Sequence, residues 1–192
     1  MTFYVIEHLD KQVYKWCLIE YTHISKIVGK RNLIFTNIKR KNKNLEKLGK
    51  VYKKRFSELM QTKKINPTQV CVLDPEAKEI LKTKDKKFNY LIFGGILGDY
   101  PPRKRTKKEL TNFIQGETRN IGKKQFSTDN AVYVTHQILN GKRFQDMKFK
   151  NHIEIKKGKY ESIILPFLYP IVNNQPLMSP RLLKFLKRKR GF

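Results

Sequence analysis

Residues 90–105 read Tyr-Leu-Ile-Phe-Gly-Gly-Ile-Leu-Gly-Asp-Tyr-Pro-Pro-Arg-Lys-Arg, and they carry the most chemistry of any stretch in the chain. The apolar run from Tyr90 to Phe93 breaks into Gly94, Gly95 and Gly98, then Asp99, two prolines and three cations. A strand that empties into a glycine loop lets backbone N–H and C=O groups approach a flat ligand, because glycine has no Cβ to hold it off. Open α/β sheets bind ligands beyond the carboxyl ends of their strands, which is where this loop belongs. The spacing is not the dinucleotide fingerprint: two glycines are adjacent, and a charged proline-rich segment follows in place of a helix. A tight turn under a packed helix is the alternative reading.

Two further loops leave strand ends, at Asp74-Pro75 and over the segment Arg119 to Asp129. The second combines a glycine turn at Gly122, the amide of Gln125, and Ser127-Thr128 at a helix start, where anionic groups are favoured. Acids are scarce in this chain, so Glu7, Glu20, Asp74 and Asp99 require explanation. Glu20 stands inside the apolar stripe of a helix, where a carboxylate is costly unless it is paired or faces a site. Glu7 and His8 stand at the end of the first strand, as a site or as ordinary strand-end polar groups. His23 and His136 read as surface or packing residues.

The elements that position these groups follow from periodicity. Strands are predicted over Phe3–Ile6, Leu33–Thr36, Val70–Leu73 and Tyr90–Phe93, with a short one over Thr118–Ile121. Helices are predicted over 11–28, closed by Gly29, and over 45–59 with Leu45, Leu48, Tyr52, Phe56 and Leu59 inward. Others open at Asp74-Pro75 and run to Leu81, at the Thr106–Glu109 capping box, and at Ser127. Beyond Phe149 come short extended segments and a basic helix from Ser179-Pro180. Strands alternating with helices make an α/β domain with a mostly parallel sheet and helices on both faces.

Composition sets the class of partner. Across 192 residues, 42 Lys and Arg oppose 16 Asp and Glu, a net charge of +26. Such self-repulsion is relieved by a polyanion, first RNA or a ribosomal particle, although genome bias or heat adaptation also enriches lysine. The two cysteines, Cys17 and Cys71, give neither a metal site nor a disulfide framework, and the histidines lack ligand spacing. A reduced, cytoplasmic compartment is expected, with no membrane association, signal peptide or metal.

Leu73-Asp74-Pro75, the string from Phe93 to Asp99 with Pro101-Pro102-Arg103 and Arg105-Thr106, and the segment Arg119 to Ala131 together resemble the three loops of a SPOUT-class methyltransferase. The nearest match is the subfamily of eukaryotic and archaeal proteins that includes a ribosomal protein-arginine methyltransferase. Tyr4 to His8, Trp16 and Ile19-Glu20-Tyr21 also resemble it, so the similarity spans about residues 3–150. The resemblance implies a deep trefoil knot in the C-terminal half, an exception to the rule against threaded chains. It also implies S-adenosylmethionine bound in a bent pose by the three loops. The cofactor contacts are then Leu73, Asp74 and Pro75; Phe93, Gly94, Gly95, Ile96, Leu97, Gly98 and Asp99; and Arg119, Gly122, Gln125, Ser127 and Thr128. Glu7, Glu20 and Asp99 are the catalytic candidates, and His8, Tyr21, Arg103 and Arg105 the substrate contacts. Residues 1–150 form the methyltransferase domain and 151–192 a basic extension packed on it.

The acceptor divides the observations. The basic faces favour ribosomal or transfer RNA, the leading expectation. The acids favour an arginine of a ribosomal protein, since paired carboxylates hold a guanidinium in a fork. A non-catalytic RNA-binding module is the third reading. A homodimer and a monomer both stay open.

Overall fold

The structure, a computed structural model, describes residues 1–96, 105–158 and 161–188. Six strands form its main sheet: β1 (Phe3–His8), β2 (Leu33–Thr36), β3 (Lys50–Val51), β4 (Val70–Leu73), β5 (Tyr90–Gly95) and β6 (Glu117–Arg119). Their order is β3-β2-β1-β5-β4-β6, and every pairing is parallel. A parallel sheet covered on both faces needs strands that are apolar throughout, and the buried runs LIFT of β2 and VCVL of β4 meet that need.

Helices α1 (Lys15–Val28) and α5 (Thr128–Leu139) cover one face. There Tyr4, Ile6, Tyr21, Ile24, Phe35, Leu91, Phe93, Val134 and Ile138 make the larger core cluster. Helix α2 (Lys43–Glu46) adds Leu45 to that face. On the other face, α3 (Phe56–Thr62) and the segment after α4 (Arg105–Glu109) pack Phe56, Leu59, Met60, Leu110 and Ile114 against Val5, Val72 and Ile92. The register sets Ile6 beside Phe93, Glu7 beside Gly94 and His8 beside Gly95, so the first strand's polar end adjoins the glycine loop.

Two expected helices give way to other structure. Residues 45–59 split into α2, the edge strand β3 and α3. The side chain of Asn42 accepts from the Asn44 and Leu45 N–H groups and starts α2. Gly49 then brings the chain so close to β2 that a Cβ there would lie 2.5 Å from the Leu33 carbonyl oxygen. That approach allows β3 to pair with Ile34 and Phe35. The segment from Asp74 to Leu81 is a turn rather than a helix. The chain from Arg119 takes up its backbone groups instead: Asp74 N donates to Arg119 O, Leu81 N donates to Asn120 O, and Asn120 N donates to Glu79 O.

Past α5, β7 (Phe149–Lys150), β10 (Tyr169–Val172) and β11 (Gln175–Pro176) make an antiparallel sheet, and β8 (Ile153–Lys156) pairs with β9 (Ser162–Leu165). The expected boundary at 150 therefore falls within a sheet, since β7 pairs with β10. Helix α6 (Pro180–Arg188) closes a third core of Ile155, Ile163, Leu165, Tyr169, Leu182 and Leu186. This core packs on Trp16 and Ile19 of α1, so the extension covers the first half of that helix.

Candidate active site

A cleft of about 780 Å³ opens at the carboxyl ends of β5, β4 and β6, within the size range of small-molecule sites. Its walls come from 73–80, 93–96, 105–107 and 119–128, with Ala131 behind. Leu73, Phe93, Ile121 and Ala131 give it an apolar lining, and exposed Lys78, Lys107, Lys123 and Lys124 stand on its rim. The cleft is thus bounded by the three loops singled out in the sequence.

Of the expected cofactor contacts, Leu73, Asp74, Pro75, Phe93, Gly94, Ile96, Arg119, Gly122, Gln125 and Thr128 border this cleft. Leu97, Gly98, Asp99 and Arg103 lie outside the described residues. Gly95 and Ser127 do not line it. A Cβ on Gly95 would run into the Tyr21 hydroxyl and come within 2.9 Å of Ile6 Cγ2, so this glycine makes room for α1. Ser127 occupies the cap position of α5, but its Oγ donates to Asp129 Oδ1 at 2.7 Å instead of capping the backbone.

Several polar members have structural partners. Asp74 accepts from Glu76 N at 2.9 Å and from Thr111 Oγ1 at 2.7 Å, which pins the first loop to the segment after α4. The Arg119 guanidinium is taken up by Asp85, Glu117 and Glu79. Arg105 borders the cleft and pairs with Glu109 at 2.6 Å and Asp10 at 3.3 Å.

Glu7 does not fit the catalytic role expected of it. Strand alternation turns it toward α3, on the opposite face from Glu20. Its Oε1 accepts from Arg55 Nε at 2.9 Å, and its Oε2 from Thr36 Oγ1 at 2.6 Å and Phe56 N at 2.8 Å. It satisfies the first turn of α3 and does not line the cleft. His8 and Tyr21 likewise do not line the cleft. His8 Nδ1 and the Tyr21 hydroxyl lie 2.8 Å apart in a buried pair, and burial lowers the His8 pKa.

Glu20 is arranged differently. It is buried, and among the described residues the one hydrogen bond to its carboxylate comes from Trp16 Nε1 to Oε1 at 2.8 Å, one turn back on α1. No lysine or arginine among those residues pairs with it. A second buried carboxylate, Asp129, faces it from the first turn of α5. Burial, and then Asp129, hold the Glu20 pKa well above the usual carboxylate range, against the pull of the Trp16 hydrogen bond. Asp129 Oδ2 sits 2.7 Å from His23 Nδ1, and Oδ1 also accepts from Asn130 N at 3.0 Å. Tyr169 of β10 closes the group, its phenol pKa raised by burial and by both acids. Thr128 and Ala131, three apart on α5, face the cleft, while Asp129 is rotated about 100° toward α1. Neither acid lines the cleft; Asp129 adjoins it through its neighbour Thr128 at the start of α5.

Sequence reasoning missed Asp129, His23 and Tyr169. Asp129 reads as an ordinary first-turn acid after Ser127, and His23 as a surface or packing residue. Only the packing of α1 on α5 makes them a pair.

The chain matches the family model described as "Protein arginine N-methyltransferase SFM1-like" over residues 3–191. It is 33% identical over 200 residues to protein arginine N-methyltransferase SFM1 of Saccharomyces cerevisiae, covering 96% of this chain and 94% of that protein. The crystal structure of yeast SFM1 complexed with SAM superposes with a TM-score of 0.88 at 33% identity, covering 97% of this chain and 90% of that one. The dual-specific Trm10 of Thermococcus kodakaraensis superposes with a TM-score of 0.56 at 20% identity, covering 76% of this chain and 96% of that one, a likeness of fold alone.

Proposed function

The chain belongs to the SFM1-like family of protein arginine N-methyltransferases, and from that premise we propose that it methylates the guanidino group of an arginine in a protein acceptor. It is an S-adenosylmethionine-dependent methyltransferase of the SPOUT class. The cleft suits that cofactor. Leu73, Phe93 and Ile121 offer an apolar slot for adenine, and Gln125, Thr128 and the Gly94 backbone offer polar partners.

One observation carries the choice of acceptor. In a chain of net charge +26, Glu20 and Asp129 lie buried together, and no lysine or arginine among the described residues pairs with either. Two carboxylates so placed repel each other and favour an incoming cation. A guanidinium is planar, stays charged and offers paired N–H donors, which matches Glu20's uncommitted oxygen. An RNA base would bring no such charge. Arginine thus replaces RNA as the leading acceptor, and of the acids expected to take part, Glu7 gives way to Asp129 as the partner of Glu20.

S-adenosylmethionine, when bound, supplies a methyl carbon activated by positive sulfur. The residues of the chain do the rest. Glu20 fixes the acceptor guanidinium and Trp16 fixes Glu20, so the largest contribution is orientation. Methylation of a guanidinium nitrogen releases one proton. Asp129 stands next to Glu20 to take it, and His23, hydrogen-bonded to Asp129 and 15% exposed in its side chain, passes it to solvent.

The test is label transfer from tritiated S-adenosylmethionine into an extract lacking the enzyme, followed by hydrolysis. The expected product is labelled methylarginine. Label recovered only in nucleosides would overturn the reading.

A further inference from the structure

Arg55 joins three parts of the molecule. Its Nε binds Glu7 at the end of β1, its Nη2 donates to the Glu109 carbonyl at the end of α4 at 2.6 Å, and its guanidinium carbon lies 4.9 Å from the centre of the Phe113 ring. Phe113 is nonetheless 54% exposed, an unusual state for a large aromatic side chain. Arg55 therefore brings two runs of exposed cations to one place: Lys53 and Lys54 just before it, and Lys107 and Lys108 just before Glu109. The Lys54 carbonyl accepts from Asn37 N at 2.8 Å, which adds the exposed basic run 39–41 to the same flank.

None of these lysines has an ion-pair partner among the described residues. The acids nearest them are engaged elsewhere, Glu7 by Arg55, Glu109 by Arg105, and Glu58 by the Arg55 N–H. The result is a track of positive charge around one open aromatic face backed by a guanidinium. Lysines that follow a backbone of phosphates, with a ring on which a base stacks, are the elements of a single-strand site. A peptide acceptor rich in arginine would be repelled by the same track.

We propose that Phe113, with Lys53, Lys54, Lys107 and Lys108, binds single-stranded RNA, with a base stacked on Phe113 and phosphates on the lysines. The site meets the rim of the cofactor cleft at Lys107 but shares no residue with the Glu20–Asp129 pair, so it stands or falls independently of the acceptor assignment. It gives the basic surface a partner that the methyl-transfer reaction does not require.

Fluorescence anisotropy of a labelled oligouridylate across a salt series tests this. Phe113→Ala is expected to weaken binding at least about fivefold with the salt slope unchanged, and Phe113→Trp to restore it. The double charge reversal K53E/K54E is expected to reduce the slope of log K against log salt by about 0.7 for each phosphate no longer neutralised. Calorimetry with S-adenosylmethionine checks that all three variants keep the cleft intact. No binding of the oligonucleotide at low salt would overturn the proposal. So would Phe113→Ala within twofold of the parent chain, or binding of phosphatidylserine vesicles in place of RNA.

Discussion

Replacing Glu20 by Gln should raise stability and lower turnover together. The amide keeps the shape of the side chain and the Trp16 hydrogen bond, and it removes a charge that the fold disfavours. In the unfolded chain Glu20 ionises near its ordinary value of 4.5, whereas in the fold its pKa stands well above that. Well below pH 4.5 both states hold the proton and the group contributes nothing. As pH rises past that point, the unfolded state loses its proton first, so the wild type loses stability relative to the variant until Glu20 ionises in the fold as well. Each pH unit across that window is worth about 1.4 kcal/mol. The variant's melting temperature should therefore exceed the wild type's by a margin that grows as pH rises above about 5. Activity should move the other way. Losing one partner of a desolvated charge pair costs about 2–5 kcal/mol, or roughly 30- to 5000-fold in the rate of methylarginine formation at subsaturating acceptor. The assay is the initial rate of label transfer, with cofactor affinity by calorimetry as the control. A variant that methylates within threefold of wild type, or that melts lower at pH 8, would refute the assignment of Glu20.

Glu7 should behave in the opposite sense. Glu7→Gln removes the charge that pairs with Arg55 and caps α3, at a cost of about 2–4 kcal/mol, less than for a fully buried pair because Arg55 is 28% exposed. That is a fall of roughly 5–15 °C in melting temperature for a chain of this size, with S-adenosylmethionine affinity by calorimetry unchanged. Gly95→Ala should cost about 1–3 kcal/mol, since its methyl would meet Ile6 and the Tyr21 hydroxyl. Adding Tyr21→Phe should recover part of that loss in a thermal melt, and no recovery would place the strain elsewhere.

The positions of β2 and β4 were legible in the residues because apolar β-branched and aromatic runs bounded by polar breaks fit little else. So was α5, where Ser127 and Asn140 mark its ends. The glycine loop after β5 could be read for the same local reason, whereas Asp74-Pro75, whose proline suits a helix start, opens a turn held by the chain from Arg119. Residues 45–59 misled because their helical spacing is real. What breaks it is the close approach of Gly49 to the Leu33 carbonyl, a contact with a strand sixteen residues earlier.

The buried acid pair was only half written in the sequence. That Glu20 is out of place on an apolar helix face is a local fact, and a periodicity count finds it. What it faces is not local. Glu7 and Glu20 look equivalent as scarce acids near strand and helix ends, yet strand alternation buries one against Arg55 and the packing of α1 on α5 sets the other against Asp129. Charge says how many partners the chain can hold, while tertiary packing alone decides which carboxylates find an arginine, as Glu7 does, and which among the described residues do not, as Glu20 does not.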